Sequence, residues 1–201
     1  MKHLFQKATN EDGYVLVLAM MIMLILTLLG IAATNTTTTE LMIAGNDTLH
    51  KKTFYEADGG TEIAASVLEE NIACITGFTA NDGSDALLDN FIRVPSASLN
   101  LWQNTDQVNS VADGDRDLFF PDGYVAGEPH TNVKIGGQAE MTTGSALQMA
   151  AGYEGKGKGI GAGGSHLLYD IYAQHHDVKN AESVVHVQWR HTIGQEGECY
   201  Y

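Results

Sequence analysis

The sequence predicts an α+β fold in which a long N-terminal helix packs on a C-terminal antiparallel β-sheet. Three observations support this order of elements. Residues 14–33 form an unbroken apolar run, and residues 63–72 repeat apolar side chains with helical spacing. Residues 185–193 alternate apolar and polar side chains, as a strand with one buried face does. A helix followed by a meander of strands is typical of α+β proteins.

The apolar run, YVLVLAMMIMLILTLLGIAA, is long enough to cross a bilayer as one helix. It contains no charged residue, and a helix advances about 1.5 Å per residue against a hydrocarbon core of about 30 Å. Lys2 and Lys7 precede the run, and the next Lys or Arg after it is Lys51. This asymmetry predicts that the N-terminus lies in the cytoplasm and that the remainder is exported.

Two general interpretations of the run differ in where the chain is cut. If the run is a secretory signal peptide, it is removed after a small-x-small site, for which Gly30-Ile31-Ala32 would serve. If it is an uncleaved signal anchor, it stays on the protein together with residues 1–13. The hydrophobic pattern by itself leaves both interpretations open.

Residues 34–75 are predicted to continue the helix as a stalk. The Thr-rich segment 34–39 has poor helix propensity because β-branched side chains lose χ1 freedom, although threonine hydroxyls can bond to the preceding turn. Gly59-Gly60 interrupts the stalk and predicts a kink or a close packing point, with a functional hinge as the alternative. One face of the stalk carries apolar residues at helical spacing: Ile63, Val67, Leu68 and Ile72.

Residues 76–201 are predicted to form one β-rich globular domain. Residues 167–171 and 185–193 have the strongest strand patterns, and the segment 175–183 joins them. They predict an antiparallel hairpin whose apolar face lies on the helix. Residues 132–141 predict a third strand with a weaker pattern.

Residues 76–120 are polar and rich in turn signals, which predicts an irregular surface for partners. Three alternate carboxylates in this segment have the opening spacing of a calcium-binding loop: Asp113, Asp115 and Asp117. The pattern then fails, because Leu118 occupies the position of the sharp-turn glycine and Tyr124 that of the bidentate glutamate. Calcium binding by the three aspartates is one prediction, and a solvated acidic turn is the other.

Other sequence patterns resemble catalytic or cofactor-binding motifs, but the residues around them do not fit such motifs. Residues 159–164 match GxGxxG, but the strand-like SHLLYDIY follows them where a dinucleotide site needs a helix. A flexible glycine loop at 152–164 is the better interpretation. Strand register separates His186 from His191, so the histidines of the C-terminal part are expected to be exposed polar residues: His166, His175, His176, His186 and His191. The sequence therefore predicts a protein that is not an enzyme and has no cofactor.

The chain is strongly acidic. It has 11 Lys and Arg against 25 Asp and Glu, which gives a formal net charge of −14. Such a surface repels phosphate backbones, so the folded monomer is not expected to bind nucleic acid directly.

The two cysteines bear on the compartment. Cys74 lies near the end of the predicted stalk, and Cys199 lies close to the last residue of the sequence. In an oxidising periplasm the two are expected to form a disulfide that holds the tail on the helix, and two separate buried thiols are the alternative.

Four motifs occur in order between Asp12 and about Gly60. The first is a glycine before the apolar run, and the second is the segment Thr27-Leu28-Leu29-Gly30. The third is Glu40 followed by MIAGN, and the fourth is FYEADGG. Through this ordered set the chain resembles the type IV pilin-like proteins, and more closely the PilX-like minor pilins. Leu18 departs from the family pattern, because most pilins have a glutamate at this fifth position of the mature chain.

The resemblance implies how the chain is processed and where it resides. Prepilin peptidase is expected to cut between Gly13 and Tyr14, so that residues 1–13 form a leader peptide and Tyr14 becomes N-methylated. Residues 14–33 then stay on the mature protein as its transmembrane part. The expected location is the bacterial inner membrane, with the C-terminal domain in the periplasm and later incorporation into an extracellular pilus.

The resemblance also implies a function, which is a minor pilin-like subunit that assists pilus assembly or initiation by packing its helix with other pilins. The expected partners are major and minor pilins, the pilus assembly machinery, prepilin peptidase and the inner membrane. The absence of the family's glutamate at Leu18 favours a minor component over a bulk filament subunit, because that carboxylate is considered to pair with a neighbouring N-terminal amine. The alternatives are a type II secretion pseudopilin, or a membrane-anchored periplasmic domain that binds calcium or carbohydrate.

Overall fold

The computed structural model of the protein describes residues 12–79, 85–103, 106–141, 165–193 and 197–201. Within these ranges the long helix comes first and the strands follow, which confirms the predicted α+β class. The elements are α1 Asp12–Asn71, β1 Ala86–Leu88, β2 Ile92–Val94, β3 Leu118–Phe120, β4 His130–Met141, β5 Ser165–Asp177 and β6 Ala181–Thr192. A 3-10 turn, Val178–Asn180, connects β5 to β6. The predicted glycine loop at 152–164 lies outside the described residues.

The part of α1 up to Thr48 belongs to a compact unit of its own, and a second unit covers Leu49–Tyr201. In the first unit every side chain described from residue 13 onwards is exposed. The Thr-rich segment is helical, and its hydroxyls bond to the preceding turn as the sequence suggested. The Oγ1 atoms of Thr36, Thr37 and Thr39 donate to main-chain carbonyls four residues earlier at 3.0 to 3.1 Å.

The six strands form one antiparallel meander in the order β1 to β6. β4, β5 and β6 pair along their lengths, which confirms the predicted hairpin and the third strand. Residues 76–120 were predicted to be irregular, but they contain β1, β2 and β3. Each of these strands is only three residues long, so alternation of apolar and polar side chains had too little length to reveal them.

The C-terminal part of α1 packs on one face of the sheet. Val67, Leu68 and Ile72 are buried, as their spacing predicted. They join a core that includes residues of four strands: Val94, Leu118, Val133, Ile135, Tyr169 and Ile171. The core therefore lies between the helix and the sheet, which is the layer arrangement expected of an α+β domain.

Gly60 is the point of closest approach between α1 and the sheet. A Cβ atom at Gly60 would lie 2.8 Å from Cγ2 of Thr131 and 3.2 Å from Cβ of Ala173, whereas a Cβ at Gly59 would meet nothing within 4 Å. α1 continues across both glycines as one helix. Of the alternatives for Gly59-Gly60, the structure supports close packing, and it assigns that role to Gly60 alone.

The C-terminal tail is fixed to the end of α1. α1 ends at Asn71, four residues before the predicted end of the stalk, and Cys74 in the following turn forms a disulfide with Cys199. The amide of Tyr200 donates to the carbonyl of Glu70 at 3.2 Å. The hydroxyl of Tyr201 donates to a carboxylate oxygen of Asp89 at 2.8 Å, and burial together with this bond raises the pKa of Tyr201 to about 12. The tail thus connects the helix end to the β1–β2 turn.

Candidate functional site

The first candidate site is the apolar part of α1. Its large side chains between Tyr14 and Ile31 are 45 to 71% exposed, and they surround the helix on all sides. The structure contains one described helix that is long and apolar enough to cross a membrane, and this segment makes it so. A helix that is apolar all round is stable in lipid or among other helices, and not in water. The segment is therefore a surface for burial in a bilayer or against partner helices.

The predicted processing residues lie at the start of this segment. Gly13 and Tyr14 are in the first turn of α1, which begins at Asp12. Tyr14 is 69% exposed, and Gly13 is exposed as well. Leu18, at the position of the family's glutamate, is 45% exposed.

The second candidate site lies on the face of the sheet that points away from α1. Thr131 faces the helix at Gly60, and side chains alternate along a strand. His130, Asn132 and Lys134 therefore point to the opposite face. The segment before β3, which holds the three aspartates, makes polar contacts with these side chains of β4.

The three aspartates bind three different places on β4. Asp113 Oδ1 accepts a hydrogen bond from Nδ2 of Asn132 at 2.7 Å, and Asp115 pairs with Nζ of Lys134. Asp117 Oδ2 accepts from the amide of Ile135 at 2.8 Å. The carboxylates thus dock the segment along β4 instead of converging on one ion. Calcium binding by Asp113, Asp115 and Asp117 stays a prediction that this arrangement does not support.

The environments of these carboxylates shift their pKa values in opposite directions. A hydrogen bond from His130 holds the pKa of Asp113 below its usual value. Burial raises the pKa of Asp117, although the amide of Ile135 donates to the charged form. The acidic segment is therefore not a uniform solvated turn, since its side chains differ in burial and in partners.

Arg116 completes the contact between the segment and the sheet. Its Nη1 donates to the hydroxyl of Tyr124 at 2.7 Å and to Oδ1 of Asn132 at 2.6 Å. The guanidinium carbon lies 3.8 Å from the centroid of the Phe119 ring. Asn132 is fully buried, so these bonds satisfy an amide that would otherwise be costly to bury.

His130 is the first residue of β4 and lies on this polar face. It is 5% exposed, and its ring stacks on that of Tyr124 at a centroid distance of 3.9 Å. Its Nδ1 lies 2.8 Å from the carbonyl oxygen of Glu128, and its Nε2 lies 2.8 Å from Oδ1 of Asp113. Its register partner on β5 is His176, and the two rings are 5.1 Å apart.

The expectation of exposed histidines was wrong for two residues that are buried, and the side chains of His166 and His176 are half-buried. His191 is 4% exposed, and its Nδ1 lies 3.1 Å from a carboxylate oxygen of Glu69 on α1. His175 is 5% exposed, and its Nδ1 lies 2.8 Å from the hydroxyl oxygen of Thr131. Both side chains lie on the face of the sheet that points towards the helix. Each has a polar partner there, which is Glu69 of α1 for His191 and Thr131 of β4 for His175. His186 is exposed, as expected.

Sequence reasoning did not single out His130. It has no histidine near it in the chain, and its neighbour His176 is brought close only by the β4–β5 register. Among the residues that the structure describes, one set of three side chains has the geometry to hold a metal ion, and it consists of Asp113, His130 and His176. The sequence could have indicated this set of residues only if the register between β4 and β5 had already been known.

Comparison with known proteins bears on the helix. Residues 13–62 match the family model described as PilX N-terminal. The match begins at the predicted processing glycine and extends past Gly60, so it contains all four motifs on which the resemblance rests. No curated protein and no solved structure matches the chain. The apolar, exposed helix and the family match agree: residues 13–62 of the chain are similar to the N-terminal region of PilX-like type IV pilins.

Proposed function

We propose that the protein is a minor pilin that acts in the assembly or initiation of a type IV pilus. The observation that carries the proposal is the segment 14–33, which is apolar on all sides, exposed throughout and included in the PilX N-terminal match. In this proposal the segment first lies in the inner membrane. It then leaves the lipid and packs with the helices of major and other minor pilins, so that its apolar contacts are retained.

Two features of α1 support helix packing as the mechanism. The threonine hydroxyls after the run bond within the helix, so the segment can enter a helical bundle without unpaired hydroxyl groups. Leu18 stands where most pilins have a glutamate. A subunit without that carboxylate cannot neutralise the N-terminal amine of a neighbour, which favours a minor position over repeated use along the filament.

Processing and location follow from the same proposal. Prepilin peptidase and the assembly machinery act on the chain, the bond between Gly13 and Tyr14 is cut, and Tyr14 is N-methylated. The anchor spans the inner membrane with its N-terminus in the cytoplasm, and the domain from Leu49 onwards lies in the periplasm. The Cys74–Cys199 disulfide supports export, because such bonds persist in oxidising compartments. The role is structural and not enzymatic.

The first test is the mass of the N-terminal peptide of the protein purified from its own membranes. The proposal expects a chain that begins with N-methylated Tyr14. A chain that begins at Ala33 would show that the run is a removed signal peptide. A chain with Met1 and no cleavage would show a plain anchor. Either of the last two results would overturn the proposal.

The second part of the test measures surface pili after the gene is deleted and then restored with variants. Leu24→Asn places an amide in the middle of the apolar segment, where Leu24 is 60% exposed. We expect it to lower the number of pili strongly while the protein level stays constant. Val184→Asn, at an exposed site on β6, is the matched control and should restore pili fully. A deletion that leaves pili intact but stops protein secretion would favour the type II pseudopilin.

A further inference from the structure

We propose that Asp113, His130 and His176 bind a divalent transition metal ion of the zinc class. One potential ligand atom of each residue lies within 4.8 Å of those of the other two. His130 and His176 are directly opposite each other on β4 and β5, and opposed residues on antiparallel strands have Cβ atoms about 4.5 to 5.5 Å apart. Two imidazoles at that separation can reach one ion. Asp113 adds a carboxylate from the segment before β3.

The contacts of His130 point to a cation. Its Nδ1 is 2.8 Å from the carbonyl oxygen of Glu128, which can only accept, so Nδ1 bears the proton. Its Nε2 is 2.8 Å from Oδ1 of Asp113. Nε2 therefore faces a carboxylate oxygen, and an imidazole nitrogen next to a carboxylate oxygen is a pair of donor atoms that zinc binds.

The residues around the cluster fix its geometry. A metal-binding histidine usually donates its second ring N–H to a carbonyl or carboxylate, and Glu128 provides that acceptor for His130. Asn132 donates to Oδ1 of Asp113 at 2.7 Å, and Tyr124 stacks on the His130 ring. Two of the three ligands are thus oriented before an ion arrives, which lowers the cost of binding.

An ion can reach the cluster from a surface cavity of about 350 Å³. His176 and Asp113 line this cavity together with Asp177, Lys179 and Glu182, and the carboxylate of Asp177 is already paired with Lys52. Oε2 of Glu182 lies 4.0 Å from Nδ1 of His176. The fourth coordination position is therefore open to a water molecule or to Glu182.

The donor set distinguishes zinc from calcium. Two imidazoles and one carboxylate suit zinc and related ions, which take four ligands, whereas calcium takes six to eight oxygen atoms. Arg116 Nη1 lies 3.8 Å from Oδ1 of Asp113, so a cationic side chain weakens the site and a moderate affinity is expected. A bound ion would join the segment before β3 to both β4 and β5.

The test uses the full chain in detergent after treatment with a chelator. Zinc binding is measured by calorimetry, and Co²⁺ replaces zinc so that its visible absorption reports tetrahedral coordination. We expect saturable binding of one ion per chain and a higher thermal midpoint with zinc. His176→Ala and Asp113→Asn should each weaken binding by about tenfold or more. His186→Ala removes an exposed histidine on β6 and should bind like the unchanged protein.

Three results would overturn the proposal. They are the absence of saturable zinc binding, binding that His186→Ala weakens as much as His176→Ala does, and binding of calcium in place of zinc. Asp113→Asn is nearly isosteric and Asp113 has a side chain that is 60% exposed. It therefore keeps the test valid if His176→Ala lowers the folded fraction, which circular dichroism of each variant would show.

Discussion

Gly59 and Gly60 are adjacent in α1 and have opposite surroundings. Gly59 is exposed and has open space where a side chain would be, whereas Gly60 is buried against Thr131 and Ala173. At Gly59, glycine only lowers helix propensity, by about 1 kcal/mol relative to alanine. At Gly60 the missing Cβ lets the helix approach the sheet. Substitutions at these two positions therefore separate the effect of helix propensity from the effect of packing between the helix and the sheet.

We predict that alanine has opposite effects at these two positions. Gly59→Ala should raise the free energy of unfolding by up to about 1 kcal/mol, because it only improves helix propensity. Gly60→Ala should lower it by about 1 to 3 kcal/mol, because its Cβ would overlap the β-branched side chain of Thr131. Urea unfolding followed by fluorescence of Trp102 and Trp189 measures both. Equal stability of the two variants would contradict the packing role of Gly60.

Single residues also show where sequence reasoning stopped. Val67, Leu68 and Ile72 could be assigned to the core because helical spacing alone places them on one face. His130 could not be recognised, since its position beside His176 and Asp113 depends on strand register and on the path of a loop. The spacing of apolar residues along one helix predicts which of them are buried. Contacts between residues far apart in the sequence depend on how the strands pair and where the loops run.

At the scale of elements, the long strands could be predicted from the sequence and the short strands could not. β4, β5 and β6 are 12 or 13 residues long, and their alternation was visible in the sequence. β1, β2 and β3 have three residues each and were missed. α1 ends at Asn71, four residues before the predicted end of the stalk, and Asn71 is buried with its side-chain amide donating to the carbonyl of Val67. Burial of an amide at a helix end has no clear periodic signal.

The tail that follows β6 depends on the disulfide for its position. The bond joins residues 125 positions apart, and a cross-link over such a loop is expected to contribute about 4 to 5 kcal/mol in the chain-entropy model. We predict that a reducing agent lowers the free energy of unfolding by about 2 to 5 kcal/mol. Urea unfolding with and without reductant measures the change.

The control for this prediction is the double variant Cys74→Ala with Cys199→Ala. It should be less stable than the unchanged protein, and its unfolding should not respond to the reductant. If the unchanged protein is equally stable in both conditions, the hydrogen bonds of Tyr200 and Tyr201 hold the tail without help from the disulfide.

At the scale of the whole molecule, the chain consists of two units with different surfaces. Residues described up to Thr48 are all exposed and largely apolar, and the buried core begins only at Thr53. In the proposed function the first unit gains stability from lipid or partner helices, whereas the second unit has its own core. The sequence revealed this division, because an uninterrupted apolar run and a periodic apolar face are different patterns.

We predict that residues 49–201 fold without the apolar segment. This chain should be soluble without detergent, form the Cys74–Cys199 bond, and unfold within about 0.5 kcal/mol of the same domain in the full chain, because no core residue is lost. Solubility, free-thiol content and urea unfolding measure the three outcomes. Aggregation of this chain would show that the boundary at Leu49 is not a folding boundary.

The disulfide has a mechanical consequence. α1 runs from the apolar segment to Asn71, and Cys74 follows three residues later with its bond to Cys199. If the molecule is pulled between that segment and Tyr201, the force passes through the helix, across the sulfur atoms and into the tail. The sheet and the loops between the two cysteines lie outside this path. A pulling force of this kind therefore reaches the last residues of the chain without unravelling the strands.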